Sequence, residues 1–490
     1  MANVEKKRQY TDKDDNVILE IENGADAKNV DVSAIGEMSA KNVQSALSEL
    51  DERLSGVERG GGGSSPTSPD AASVGYSNAS SGLSATNVQT AIDELASQAA
   101  HELAATQLSP VQVWNDDFAV DRAVSLYIEP YTNASGTYTH RIKSTPVSVN
   151  AYQFHGTSVN RTNPYSAYVP LSKSGDRLVL NQCYTADWRE TVWLVELVDA
   201  NASMKIGFER FTFVDGEPPY TEYSNLTYVG GQARNQGSFT VDFGNKAIHN
   251  SPMSLNPAAG KRYFIKFSSV DRTSYVSVVN ANDSSESQTL QLGLDLRCSP
   301  YIEWVAGTFN VRKVCVTLYG GACDYFLTGD SIMYNVPSQV TDPADRWAYK
   351  FKAEKCPNTA ISCRGMANHF ETLLRLTCEI LPLKPKCVID ENYANGYSDA
   401  YLDIMKSVCE ENGIEYIHTM PTISSTKAYN ASDKQHIIET VKTIRLDEAT
   451  SINGDVTQGQ DTTKFVNDRL HVNTKGSLAM YQRLIDELGL

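Results

Sequence analysis

The stretch CDYFLTGDSIMYNVP, residues 323–337, decides how the C-terminal part of the chain folds. Tyr325, Phe326 and Leu327 form a short apolar run of strand character. Gly329-Asp330-Ser331 follows, and then a helix start. Gly, Asp and Ser are common turn residues, so one reading is a plain turn. The other is a nucleophile at the mouth of an α/β sheet, where active residues sit at the carboxyl ends of strands.

The segments downstream favour the second reading. NHFETLLRLTC puts Phe370, Leu373, Leu374 and Thr377 on one helical face, and KPKCVID reads as a strand. SDAYLDIMKSVCEENG opens on a Ser-Asp cap and stops at Gly413. IEYIHTM is a strand, and KQHIIETVKTI and GSLAMYQRLIDELG read as helices. Strands alternating with helices predict a parallel sheet with helices on both faces. The last histidine lies in NDRLHVNTKGS, just before the final helix, with Asp468 three residues ahead of His471. An Asp at that spacing on a turn can hold the imidazole, leaving the far nitrogen to take a serine proton.

These blocks resemble those of the SGNH (GDSL-type) hydrolases. The resemblance covers residues 323–490 and implies a three-layer α/β fold with Ser331, Asp468 and His471 as catalytic residues. It implies an oxyanion hole from the Ser331 N–H, from Gly365 in NTAISCRGMAN, and from an Asn side chain in CVIDENYANG. Asn392 fits that last role by position. However, Asp390 stands where the family has Gly and Tyr393 where it has Asp, and Asn395 is a rival. No metal and no cofactor are expected, because the chemistry implied is acyl transfer through serine. His369, His418 and His436 match no block, and His418 reads as packed within a strand.

From about 110 to 322 the pattern is different. Short runs rich in Val, Tyr, Phe and Thr, such as TVWLVELV, GSFTVDF and KRYFIKFSSV, are separated by Gly, Asn, Ser and Thr. In GSFTVDF, Phe239, Val241 and Phe243 face one way. This predicts an all-β sandwich or jelly roll. Trp188, Trp193 and Trp304 are candidates for stacking on a sugar, although Trp193 sits in an apolar strand and reads as core. The alternative for this region is a spacer.

The N-terminal hundred residues contain a duplication. SAKNVQSALSEL (39–50) and SATNVQTAIDEL (84–95) share eight of twelve positions. Val43, Leu47, Leu50, Leu54 and Val57 are spaced as a coiled-coil seam. So short a helix is marginal alone and calls for partners, here other copies of the chain. SNASSGLSATNVQTAIDELAS resembles a repeat frequent in bacteriophage tail and fibre proteins. The resemblance implies a virion structural protein, attached to other virion proteins by its N-terminus and homotrimeric. The expected organisation is an anchor (1–30), helical repeats at 31–59 and 74–109 around a Gly/Ser/Pro linker (60–73), the β-sandwich (110–322) and the hydrolase domain (323–490). A host-surface glycan is then the expected substrate or receptor.

Bulk properties agree. The net charge of −16 argues against nucleic acid and against an anionic membrane surface as partners. No stretch approaches the ~18 consecutive apolar residues of a membrane span. The N-terminus is charged without an apolar core, so no secretory signal is expected. A virion protein assembled in a bacterial cytoplasm fits this, and a bacterial surface esterase fits it less well. Nine cysteines, none in a CxxC pair, read as small buried hydrophobes in a reducing compartment, against a disulfide or metal role.

Overall fold

The computed structural model describes strand backbone at 7–11, 17–22 and 31–32. It also describes residues 108–490 except 121, 133–137, 157–166, 210–234, 271–272, 295, 336–337, 366 and 426–429. The chain divides into two units, Met1–Gln107 and Leu108–Leu490. In the first, the three short strands pair antiparallel, in the segment read from sequence as an anchor. The expected helical repeats and linker lie, but for Asp31–Val32, Leu108 and Ser109, outside the described residues.

In the second unit, residues 109–321 form two seven-stranded antiparallel sheets and a separate hairpin, Ala123–Thr132 with Tyr138–Asn150. Alternation drives the two sheets together. Strand Arg189–Leu197 buries every second residue, with Trp193 fully inside. Phe208 of one sheet meets Phe267 of the other with ring centroids 4.9 Å apart, and Phe243 meets Tyr263 at 4.8 Å.

The rest is a five-stranded parallel sheet. Its strands are β1 (Tyr325–Gly329), β2 (Thr359–Cys363), β3 (Cys387–Glu391), β4 (Glu415–Thr419) and β5 (Lys442–Ile444), in the order β2-β1-β3-β4-β5. The helices are α1 (Ser331–Tyr334), α2 (Trp347–Glu354), α3 (His369–Arg375), α4 (Asp399–Glu411), α5 (Ala431–Thr440), α6 (Leu446–Thr450) and α7 (Thr474–Leu488). Leu327, Ile361, Ile389, Ile417 and Ile444 carry one sheet face onto Trp347 and Phe351 of α2 and Met480 and Leu484 of α7. The sequence reading carried the α5 helix through Ile444. Instead the helix stops at Thr440, and Lys442–Ile444 pairs with Ile417–Thr419 as the fifth strand. Val441, Thr443 and Ile444 are β-branched residues that suit a strand better than a helix.

The two β-sheets and the parallel sheet share a joint. Ala186 forms an antiparallel bridge with Ser362, and the Asp187 N–H donates to the Ile361 carbonyl at 2.8 Å. Strand β2 is thus not a bare edge. Glu379, in the π-helical turn Leu376–Ile380 after α3, accepts from the Thr185 and Ala186 N–H groups and from Ser362 Oγ. Burial holds its pKa above the usual carboxylate value, against the pull of Arg375 and these hydrogen bonds. Trp188 and Trp193, candidates for sugar stacking, are both buried, and the Lys352 ammonium of α2 caps the Trp188 ring at 3.6 Å. Neither indole is open to a glycan.

Candidate active site

The parallel register sets the site. Gly329 of β1 pairs with Cys363 of β2 and with Glu391 of β3. Ser331 and Gly365 therefore lie two residues beyond the carboxyl ends of neighbouring strands. Gly329 is required by close packing. A Cβ there would come within 2.8 Å of Glu391 Oε2 and 2.9 Å of Met333 Cβ. Arg375, fully buried, donates to Thr328 Oγ1 at 2.9 Å and the Gly329 carbonyl at 3.0 Å, fixing the strand end from below.

The first-turn N–H groups of α1 can be accounted for one by one, since a helix start leaves them without intrahelical partners. Asp330 caps the helix by accepting from the Ile332 N–H at 2.8 Å. Glu391 accepts from the Met333 N–H, and the Tyr334 N–H closes onto the Asp330 carbonyl. The Ser331 N–H makes no hydrogen bond within the described residues, and neither does that of Gly365. Both donors are available to an incoming oxygen.

His471 Nε2 stands 2.9 Å from Ser331 Oγ, and His471 Nδ1 stands 2.6 Å from Asp468 Oδ2. The second Asp468 oxygen accepts from the Leu470 and His471 N–H groups at 2.8 and 2.9 Å. Arg469 takes a left-handed φ of 58° within this tight turn. The Val466 N–H to His471 carbonyl bond and the Phe465–Val472 bridge close the turn at its base. Burial raises the Asp468 pKa, but the bonds from His471 and Leu470 outweigh it, and the net shift is downward. The carboxylate keeps its charge and orients the ring for proton acceptance at Nε2.

The two candidates for the third donor each commit one amide hydrogen elsewhere. Asn392 is fully buried and its Nδ2 donates to Thr372 Oγ1 of α3 at 2.5 Å. The Asp390 carboxylate beside it accepts from the Tyr401 and Tyr416 hydroxyls and from the Asn392 N–H. Asn395, the rival, donates Nδ2 to Asp330 Oδ2 at 3.1 Å, one residue from Ser331, which leaves its other amide hydrogen uncommitted by that bond. His418 is buried with Nδ1 on the Thr419 carbonyl, and half-buried His436 meets Asp403.

Two features escaped sequence reading. One is Glu391, buried against the Gly329-Asp330 turn. Burial, and then the neighbouring Asp330 and Asp390 carboxylates, hold its pKa well above the usual range. Folding therefore takes up a proton here, and stability falls as pH rises above the unfolded value of about 4.3. Glu391→Gln keeps an acceptor without that penalty. Its melting temperature is expected to exceed wild type at pH 8, with the gap closing toward pH 4, as thermal unfolding across pH would show.

The other is Arg297, contributed by the two-sheet region. It forms a buried ion pair with Asp187 at 2.5 Å and donates to the Cys363 carbonyl at 2.6 Å, two residues before Gly365. Its guanidinium also lies 5.3 Å from the Tyr334 ring centroid. Arg297→Met leaves Asp187 buried and uncompensated, at an expected cost of about 3–5 kcal/mol in urea unfolding. Adding Asp187→Leu should restore part of the stability but not turnover, because the brace on the Gly365 loop stays missing.

No family model matches the chain, and no curated protein resembles it in sequence. Among solved structures it is similar to a putative acylhydrolase from Bacteroides fragilis, with 14% identity and a TM-score of 0.26 over 34% of this chain and 86% of that one. It is similar to an acetylxylan esterase from Geobacillus stearothermophilus, with 14% identity and a TM-score of 0.27 over 35% and 96%. It is also similar to a family two carbohydrate esterase from Cellvibrio japonicus, with 10% identity and a TM-score of 0.24 over 75% and 98%. Likenesses this slight leave the chemistry of the site to its own geometry.

Proposed function

We propose that the chain is an SGNH-type serine esterase that removes O-acetyl groups from a host-surface polysaccharide. In this reading it is carried on a trimeric bacteriophage fibre or tail protein, held in the virion by its N-terminus. The observation that carries the enzymatic reading is the unbroken hydrogen-bond chain from Ser331 Oγ through His471 to Asp468. The virion reading is supported by the duplicated N-terminal segment alone.

Ser331 Oγ attacks the ester carbonyl as His471 Nε2 takes its proton. The developing oxyanion is held by the Ser331 and Gly365 N–H groups, with Asn395 rather than Asn392 as the side-chain donor. His471 then returns the proton to the leaving alcohol, and water, activated by the same imidazole, releases acetate. Gly365 and Ser331 come from adjacent strand ends, so the hole is pre-built on the sheet and needs no reorganisation in the transition state.

The hydrogen bond that holds the Asn392 amide on Thr372 favours a second reading, a receptor-binding fibre that no longer turns over. The test is acetate release from p-nitrophenyl acetate and acetylated xylan, alongside labelling by a fluorophosphonate probe and mapping of the labelled residue. Turnover with label on Ser331 supports the esterase. A folded protein with neither supports the binding role.

A further inference from the structure

Cys323, Cys378, Cys387 and Cys409 are buried, and burial pushes each thiol up to about 12. A neutral thiol of that kind packs as a small hydrophobe and is inert. Cys183 and Cys298 differ. Both are fully buried, and their thiols are in hydrogen-bond contact with each other.

The backbone brings the two together. Tyr184 and Cys298 exchange N–H to carbonyl bonds at 3.1 and 2.9 Å as an antiparallel bridge, and Ser299 Oγ donates to the Gln182 carbonyl at 2.8 Å. Tyr184 is thus the residue opposite Cys298. In a regular ladder its neighbour Cys183 would face the other side of the ribbon. The ladder is broken here. Cys298 takes a left-handed φ of 86°, unfavourable for a residue with a Cβ, and the two sulfurs meet.

The surroundings favour charge on one sulfur. Arg364 and Arg375 are both buried. Arg364 is shared with Glu371, its Nη2 donating to Oε2 at 2.6 Å. Arg375 Nη1 donates only to neutral acceptors, Thr328 Oγ1 and the Gly329 and Ser362 carbonyls, and its Nε and Nη2 have no hydrogen-bond partner among the described residues. Burial alone raises the Cys298 thiol. The hydrogen bond from Cys183 and the two guanidiniums outweigh burial and the Glu371 carboxylate, and the net shift is downward. Cys183 moves the other way, raised by its bond to Cys298 and by burial. Cys298 is therefore the better nucleophile, with a second thiol held against it.

We infer that Cys183 and Cys298 are an oxidation site that closes to an intramolecular disulfide, with hydrogen peroxide or another small peroxide as the oxidant. The oxidant is small because neither sulfur is exposed. The Cys298 thiolate attacks one peroxide oxygen, the O–O bond breaks and hydroxide leaves, giving a sulfenic acid. The Cys183 sulfur then attacks the Cys298 sulfur. The S–S bond forms, the S–O bond breaks, and the departing hydroxide leaves as water with the Cys183 proton. Two thiols lose two electrons between them, and the peroxide is reduced to two waters. The new bond would staple the segment holding Thr185, Ala186 and Asp187 to the one holding Arg297, both of which meet strand β2. None of this depends on Ser331 or on the esterase reading.

The test exposes the full native chain to hydrogen peroxide at neutral pH, then alkylates it in denaturant and maps the peptides without reduction. The Cys183 peptide should appear joined to the Cys298 peptide, lighter than their sum by two hydrogens, and dithiothreitol should part them. Cys298 should lose its free thiol at least ~10-fold faster than Cys323, since its larger thiolate fraction outweighs the lower nucleophilicity of a more acidic thiol. In Cys183→Ser, dimedone should trap a sulfenic acid at Cys298. In Cys298→Ser, Cys183 should take up at most about a tenth as much label. The Cys183 N–H also bonds to the Cys378 sulfur, so a Cys183–Cys378 cross-link in its place would overturn the pairing. So would oxidation confined to half-buried Cys315 and Cys356 with Cys183 and Cys298 still free. Both results are read in the wild type, so a variant that fails to fold does not blur them.

Discussion

Ser331→Ala is expected to reduce kcat on p-nitrophenyl acetate by about 10⁶-fold, the scale on which removal of a serine nucleophile acts when the triad works as a unit. The alanine leaves His471 with no proton to take and no acyl-enzyme to form. The Ser331 and Gly365 N–H groups remain, so a residual rate of about 10³–10⁴ over water is expected from oxyanion binding and positioning alone. Ser331 lies on the half-buried start of α1, and its hydroxyl has His471 as its described partner. Unfolding stability should therefore stay within about 0.5 kcal/mol of wild type, as for substitutions away from packed features. The pre-steady-state burst of p-nitrophenol in the wild type, and its absence in the variant, is the direct reading. A variant that keeps even a tenth of the wild-type rate would move the nucleophile elsewhere.

The parts of this site that are legible in sequence are those built from near neighbours. Asp468 and His471 sit three residues apart on one turn, and Gly329-Asp330-Ser331 ends an apolar strand, so spacing alone points to these residues. The parallel sheet shows through for the same reason, as local periodicity switching along the chain. What sequence spacing hides is pairing across long separations. Asn392 has the right offset from strand β3, but Thr372, twenty residues upstream on another element, claims its amide. The Arg297–Asp187 pair joins residues 110 apart, and with Ala186–Ser362 and Glu379 it ties the two-sheet region to the end of strand β2. The change of pattern near residue 322 reads as a domain border, and Arg297 reaches across it to the Cys363 carbonyl.

Asp468→Asn is expected to lower kcat by about 10³–10⁴-fold with little change in KM. The asparagine is isosteric, and its carbonyl oxygen can keep the bonds from the Leu470 and His471 N–H groups that shape the turn. Its amide then faces His471 Nδ1 as a donor. The ring must answer with an acceptor at Nδ1, which places the imidazole proton on Nε2, the nitrogen that has to receive the serine proton. For a buried triad aspartate this wrong tautomer is worth about 10⁴. Asp468 is 47% exposed at its side chain, so water screens part of its interaction with the imidazolium, and the loss should reach that value or fall up to tenfold below it. The lowered pKa of Asp468 adds a pH condition. Its stabilising effect is complete above the unfolded value of about 3.9 and is lost only as pH falls through the lower folded value. Hence the carboxylate should not limit the acid limb of the wild-type profile. Steady-state kinetics of Asp468→Asn and Asp468→Ala separate the two roles of the residue. Asn preserves the turn but loses the tautomer and the carboxylate charge, so its melting temperature should fall only slightly below wild type at neutral pH. Ala loses both and should melt lower at a similar rate deficit. Equal activity of Asn and wild type would mean that another group orients His471, and Asp468 would then serve only to close the turn.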